Sequence, residues 1–254
     1  MNKLKKTLGQ NFLKSKKIVQ EIVAAGEVGP EDIILEVGPG KGILTEVLLQ
    51  KAKKVIAVEK DEKLAEFLKE KFATEINNGK LKIIFGDILQ SQISNLKSKK
   101  FKYKIIANIP YYITSRFLRT FLESDFQPSM MVLMVQKEVA ERIVGIKESL
   151  LSISVKSYGR PEIIRKVPAG YFSPAPKVDS AVIKISGISK DFFQNINENK
   201  FFETVKKGFS QKRKMLINNL KANKEIFRAC NIGEKARAEE VSLEQWKCLT
   251  FWMT

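Results

Sequence analysis

Four short stretches of this sequence hold the residue types that can do chemistry, and each follows an apolar run. The first, Glu36-Val-Gly-Pro-Gly-Lys-Gly42, has the form E-x-G-x-G-x-G. Gly38 and Gly40 let the backbone turn tightly and let a ligand approach without a Cβ in the way. The second is Glu59, at the end of Val55-Ile56-Ala57-Val58. A carboxylate there can accept both hydroxyls of a ribose. The third, Gly86-Asp87, follows Leu81 to Phe85. Asp87 suits the amino group of an adenine, although taken alone it reads better as a turn former or helix cap. The fourth, Asn108-Ile109-Pro110-Tyr111, follows Tyr103 to Ala107.

Spacing discriminates between ligands. A dinucleotide loop calls for G-x-G-x-x-G, with its third glycine one place later than Gly42. S-adenosylmethionine has no pyrophosphate to seat on a helix N-terminus, so the spacing favours this methyl donor over NAD. The acceptor follows from Asn108. An exocyclic adenine amine is a poor nucleophile because its lone pair is delocalised into the ring. Two acceptors aimed at its hydrogens favour a pyramidal nitrogen, and the Asn108 side-chain oxygen and the Ile109 carbonyl can serve. Pro110 fixes φ and stiffens the loop, and Tyr111 offers a face for the target base. Phe172 is either the opposite stacking face or a core aromatic ahead of the turn Ser173-Pro174-Ala175-Pro176. Once methylated, the nitrogen is cationic and loses its proton easily, so alignment and electrostatics suffice. This suits a chain with no histidine. Cytosine C5 methylation is disfavoured, because no cysteine lies near the acceptor loop.

These residues need elements to position them. Apolar runs of strand length at 32–37, 55–58, 81–85, 103–107 and 130–135 alternate with helical patterns. The spacing predicts helices over 43–51, from Asp61 to Phe72 with Leu64, Phe67, Leu68 and Phe72 on one face, and around 116–122. Such alternation implies an α/β fold, Rossmann-like, with a parallel sheet covered on both faces. Ligands of these sheets bind outside the carboxyl ends of the strands. Gly38, Glu59, Asp87 and Asn108 all fall at such ends. Segments 163–167 and 181–185 read as further strands. Beyond about Gly187 amphipathic helices follow, including 201–209, 215–220 and 243–252. The reading divides the chain into a donor-binding domain, 1–187, and a small helical RNA-binding domain, 188–254.

Charge names the class of partner. Lys and Arg number 45 against 28 Asp and Glu, a formal net charge of +17 over 254 residues. That excess costs self-repulsion in the folded state and points to a polyanion, nucleic acid ahead of an anionic membrane. Lys5, Lys6 and Lys14 in a basic N-terminal segment and Lys212, Arg213 and Lys214 near the C-terminus are the candidate phosphate contacts. Cys230 and Cys248 lack metal-site spacing and read as two inert helical thiols in a reducing cytosol. No metal site is expected. The basic N-terminus lacks an apolar h-region, and Met130 to Val135 is too short to span a bilayer, so a cytoplasmic location is expected. A monomer is expected as well.

The sequence resembles the ribosomal RNA adenine dimethyltransferases. The matching stretches are Leu8 to Leu13, Glu36 to Thr45, Glu59, Gly86-Asp87, Asn108 to Tyr111, Val135 to Arg142 and Phe172 to Ala181. Phe209 to Leu220 resembles the family's basic helix. The resemblance covers nearly the whole chain. It implies that Asn11, Leu13, Gly38, Glu59, Asp87 and Asn108 contact S-adenosylmethionine and that Asn108 also faces the target amine. The implied product is N6,N6-dimethyladenosine at two adjacent adenosines in the 3′-terminal hairpin loop of 16S rRNA in the small ribosomal subunit. Two alternatives stand beside it. The erythromycin-resistance methyltransferases share these motifs but modify one adenosine of 23S rRNA, and they are not expected to carry Lys212-Arg213-Lys214 with Asn218-Asn219-Leu220. A ribosome-assembly or RNA-binding factor with incidental catalysis is the other, and Asn108 and Tyr111 argue against a purely non-catalytic role.

Overall fold

A computed structural model describes residues 11–90 and 102–253. The chain runs β1 (Phe12–Leu13), α1 (Lys16–Ala25), β2 (Ile33–Val37), α2 (Ile43–Lys51), β3 (Lys54–Glu59), α3 (Glu62–Lys71), α4 (Ala73–Asn77) and β4 (Leu81–Phe85). It continues through β5 (Tyr103–Asn108), α5 (Thr114–Leu122), β6 (Met130–Gln136), α6 (Lys137–Val144), α7 (Leu150–Lys156), β7 (Arg160–Val167), β8 (Phe172–Ser173) and β9 (Ser180–Ser186). It ends with α8 (Glu198–Gly208), α9 (Leu216–Leu220), α10 (Lys224–Ala229) and α11 (Leu243–Trp252).

A seven-stranded sheet has the order β4-β3-β2-β5-β6-β9-β7. Its central strands are near-continuous apolar runs because both faces are covered, the pattern parallel sheets require. β2 pairs in parallel with β3 on one side and with β5 on the other. The chain therefore winds outward from β2 to one edge through β3 and β4, then returns to add β5 and β6 in the opposite direction. That reversal opens a crevice above the carboxyl end of β2. β9 is antiparallel to β6, with Ser180 opposite Gln136, so β9 begins at the same sheet end at which β5 and β6 finish. A separate two-stranded pairing joins β1 to β8, Leu13 opposite Phe172.

Two compact units result. The first holds the described residues up to Ala140 together with Glu162–Ile188; the second holds Glu141–Pro161 and the described residues from Ser189 on. The sequence predicts a single cut at 187/188; here the chain last passes between units at Ile188/Ser189, and Glu141–Pro161 also belongs with the helical unit. The reason is aromatic packing. Tyr158, buried just after α7, lies 5.1 Å from Phe193 and 6.0 Å from Phe202, ring centre to ring centre. Phe201 joins the same cluster, so the second unit has no complete core without the earlier segment.

Three further expectations change. Cys230 and Cys248 are not free thiols. They form a disulfide, because α10 ends against the middle of α11 and brings their Cα atoms to 5.6 Å. Lys212, Arg213 and Lys214 are not helical. They lie exposed in a turn between α8 and α9. α8 stops at Gly208, where Asn219 Nδ2 donates to the Gly208 carbonyl at 2.7 Å and to the Gln211 carbonyl at 3.1 Å. Phe67, expected on the buried face of α3, is 45% exposed, whereas Ala65 and Leu68 carry the packing. No helix among the described residues is long and apolar enough to cross a membrane.

Candidate active site

The carboxyl ends of β2 to β5 line one cavity of ≈ 490 Å3. Gly38 and Gly40 follow β2 with φ of +67° and +59°, a conformation that costs L side chains but not glycine. A Cβ at Gly40 would also come within 2.9 Å of the Phe12 ring. Phe12 closes this side of the cavity, and Lys41 Nζ lies 5.3 Å from its ring centre.

Glu59 ends β3 and is nearly buried. Its Oε2 accepts from Gly40 N–H at 3.1 Å and its Oε1 from Asp61 N–H at 2.9 Å. Burial pushes its carboxyl up, and the backbone donors from Asp61 and Gly40 oppose that. These two bonds orient the group and leave further lone pairs for ligand hydroxyls. Asp87, after β4, accepts from Leu89 N–H at 2.9 Å through Oδ1 and from Lys60 at 2.8 Å through Oδ2. The Lys60 ammonium holds its carboxyl below the ordinary carboxylate range.

Asn108 ends β5. Its Nδ2 donates to the Asn11 carbonyl at 3.3 Å, which fixes the amide with Oδ1 as the remaining acceptor. Ile109, Pro110 and Tyr111 continue along the cavity wall. The Tyr111 carbonyl accepts from Thr114 Oγ1 at 3.0 Å, and its phenol lies 2.5 Å from Ser180 Oγ. Burial raises the phenol's pKa, with the Ser180 bond acting the other way.

One cavity thus collects Asn11, Leu13, Gly38, Gly40, Glu59, Asp87 and the Asn108–Tyr111 loop. The structure belongs to a recognised lineage. The chain matches the family described as Ribosomal RNA adenine dimethylase over residues 1–253. The chain belongs to the ribosomal RNA adenine dimethylase family. It is an enzyme of a family of S-adenosylmethionine-dependent methyltransferases. It is 42% identical over 261 residues to a Ribosomal RNA small subunit methyltransferase A of Dehalococcoides mccartyi, covering 98% of this chain and 89% of that one. A dimethyladenosine transferase from Plasmodium falciparum superposes with a TM-score of 0.81 at 27% identity, covering 94% of this chain and 95% of that one. The 23S rRNA methyltransferase ErmE, at 24% identity and a TM-score of 0.78 over 94% of this chain and 98% of that one, shares the fold.

Within this dimethylase, some expected site residues lie elsewhere. Phe172 is 2% exposed among core residues such as Leu13, Val167 and Val182, so its ring is a core aromatic and not the opposite stacking face. Its neighbour Ser173 lines the cavity instead. Lys14 also lines the cavity. Lys212, Arg213 and Lys214 are in the second unit. Lys5 and Lys6 lie outside the described residues.

The sequence reading also leaves out Glu36 as a site residue. It sits in the interior of β2 and is among the residues that line the same cavity. It is 1% exposed, and neither oxygen has a hydrogen-bond partner. Burial pushes its carboxyl up to about 8, with the Thr45 hydroxyl and Glu59 as lesser influences. A lone acid inside the otherwise apolar run Ile33–Val37 is a legible signal, since burying an unpaired carboxyl is costly and calls for a ligand.

Proposed function

We propose that this chain transfers methyl groups from S-adenosylmethionine to N6 of two adjacent adenosines in the 3′-terminal hairpin loop of 16S rRNA, giving N6,N6-dimethyladenosine during small-subunit biogenesis. The observation that carries the reading is the orientation of Asn108. With Nδ2 donating to Asn11, its Oδ1 is an acceptor beside the Ile109 carbonyl at the cavity. The identity to small-subunit relatives supports the small-subunit target over the large-subunit alternative.

The donor's fit rests on the chain's own orphaned acid. S-adenosylmethionine brings an electrophilic methyl group on a cationic sulfonium, together with a cationic amino group. Glu36 offers a buried, unpartnered carboxyl that such a cation would satisfy. Gly38 and Gly40 give a cradle without Cβ atoms. Glu59 would accept the ribose hydroxyls and Asp87 the adenine amine, with Asn11 and Leu13 closing over them. Asn108 Oδ1 and the Ile109 carbonyl would accept the two hydrogens of the target amine, holding its lone pair toward the methyl group. Tyr111 would stack on the base, and Pro110 keeps the loop from relaxing. No strong base is required, because the methylated nitrogen is acidic.

Unmodified small-subunit particles incubated with labelled donor should acquire label in two adjacent adenosines of the 3′-terminal hairpin, mapped by nuclease digestion and mass spectrometry. Label confined to one adenosine of large-subunit RNA would overturn this reading in favour of the erythromycin-resistance type. Glu59→Ala should weaken donor binding in calorimetry roughly tenfold, the scale of losing hydrogen bonds to a charged acceptor. Unchanged affinity would remove Glu59 from the donor site.

The second unit is proposed to grip RNA. Lys212, Arg213 and Lys214 are exposed on a turn held by Asn219. Each phosphate contact displaces counterions, so affinity should fall steeply with salt. Replacing the three together with Ala should flatten the slope of log K against log salt by about one to three, with donor affinity unchanged. An unaltered slope would take the turn out of the RNA contact.

A further inference from the structure

We propose that Ser180 is a positioning residue for the acceptor base: its hydroxyl anchors the Tyr111 ring in the orientation on which the base stacks. This rests on the acceptor reading of the Asn108–Tyr111 loop given above.

Ser180 opens β9 and is fully buried. Its Oγ lies 2.5 Å from the Tyr111 hydroxyl. The antiparallel register places this first residue of β9 opposite Gln136, the last residue of β6. Ser180 thereby reaches the sheet end at which the acceptor loop leaves β5. Its own backbone is tightly held. The neighbouring Asp179 accepts from Lys137 N–H through its carbonyl and from Ala169 N–H through Oδ1, both at 3.0 Å. The hydroxyl is thus a fixed point tied to β6 and to the segment leading into β8.

Tyr111 is held at both ends. Thr114 Oγ1 donates to its carbonyl at 3.0 Å, and Ser180 takes its far end. A ring fixed at the backbone alone still turns about its side-chain torsions. A ring fixed at its hydroxyl as well has one plane available. Stacking a base on a free ring costs side-chain freedom at the moment of binding; stacking on an anchored one does not. The loop's aim matters because methyl transfer depends on alignment of the nitrogen with the methyl group. Tyr112, next along the chain and also lining the cavity, is 64% exposed. Among the described residues, Tyr111 is the one of the two whose hydroxyl meets a buried partner.

The test is a double-mutant cycle. Ser180→Ala and Tyr111→Phe remove the same bond from its two sides. Each should lower the single-turnover rate at saturating RNA about three- to tenfold. The double variant should be no slower than the slower single, since the second change has nothing left to remove. Donor affinity by calorimetry should stay at the wild-type value. If Ser180→Ala does not fold, Tyr111→Phe still reads the bond, on a residue that is only partly buried. A wild-type rate in Tyr111→Phe, multiplying effects in the double variant, or a loss of thermal stability with no change in rate would each overturn the proposal. Tyr111→Ala tests the underlying reading separately. It removes the stacking face, so its rate should fall well below that of Tyr111→Phe. If Tyr111→Ala transfers as fast as wild type, the acceptor role of the loop itself fails.

Discussion

Asn108→Ala should slow methyl transfer about a thousandfold while weakening donor binding by less than about tenfold. The scale is that of deleting one preorganised polar group from a site where charge develops. Two consequences of the structure separate the two effects. In the proposed mechanism Asn108 Oδ1 accepts from the target amine, so its loss should fall on the transition state, where the nitrogen must present its lone pair. The Nδ2 bond to the Asn11 carbonyl also disappears, and Asn11 lines the cavity proposed to hold the donor, so a small drop in donor affinity should follow. Single-turnover rates with small-subunit RNA and calorimetric titration with the donor measure the two independently. A near wild-type rate in purified Asn108→Ala would refute the mechanism. Equal losses of rate and donor affinity would make Asn108 a donor residue only.

The strand ends were the most legible part of this molecule. β2 to β5 are apolar runs, and the polar or glycine residue that terminates each is visible as punctuation. Parallel winding then places all four terminators at one sheet end, so Gly38, Glu59, Asp87 and Asn108 share a cavity. What the sequence hid depends on contacts between distant segments. Lys16 and Lys17 count with the basic N-terminal residues in sequence, yet they open the helix Lys16–Ala25. That helix is marked by Ser15, whose side chain accepts from Ile18 N–H, and by Ile18, Val19, Ile22 and Val23 on one buried face. Phe172 reads equally as a stacking face or as core until its pairing with Leu13 is known. The basic turn at 212–214 falls in the stretch that the resemblance reads as a basic helix. A Cβ at Gly208 would come 2.3 Å from the Trp246 ring, and that packing, with Asn219 bonding to the chain at 208 and 211, ends the helix there. The Cys230–Cys248 bond exists because α10 meets α11, and no local spacing announces that.

Glu36→Gln should cost about a hundredfold in donor affinity at pH 9 while making the empty protein more stable. The two effects come from one carboxyl. Both its oxygens are buried without a hydrogen-bond partner, and burial pushes it up to about 8. The unfolded carboxyl ionises near the ordinary value of 4.5. The unfolded chain therefore gains by releasing its proton between about 4.5 and about 8, while the folded chain holds on to it. Stability of the empty wild type falls through that window and is level above it. Glutamine carries no such penalty. The difference in melting temperature, variant minus wild type, should grow from pH 4.5 to pH 8 and then stop growing. Donor binding has the opposite slope. A cationic ligand needs the ionised carboxylate, so wild-type affinity should rise with pH up to about 8 and level off. Binding below that pH should release a proton, detectable by calorimetry in buffers of different ionisation enthalpy. The hundredfold loss is the scale of removing one partner from a buried charge pair, and in Glu36→Gln both the pH dependence and the proton release should vanish. A wild-type affinity that ignores pH from 6 to 9, or a glutamine variant that binds as tightly as wild type at pH 9, would show that no cation of the donor faces this carboxyl.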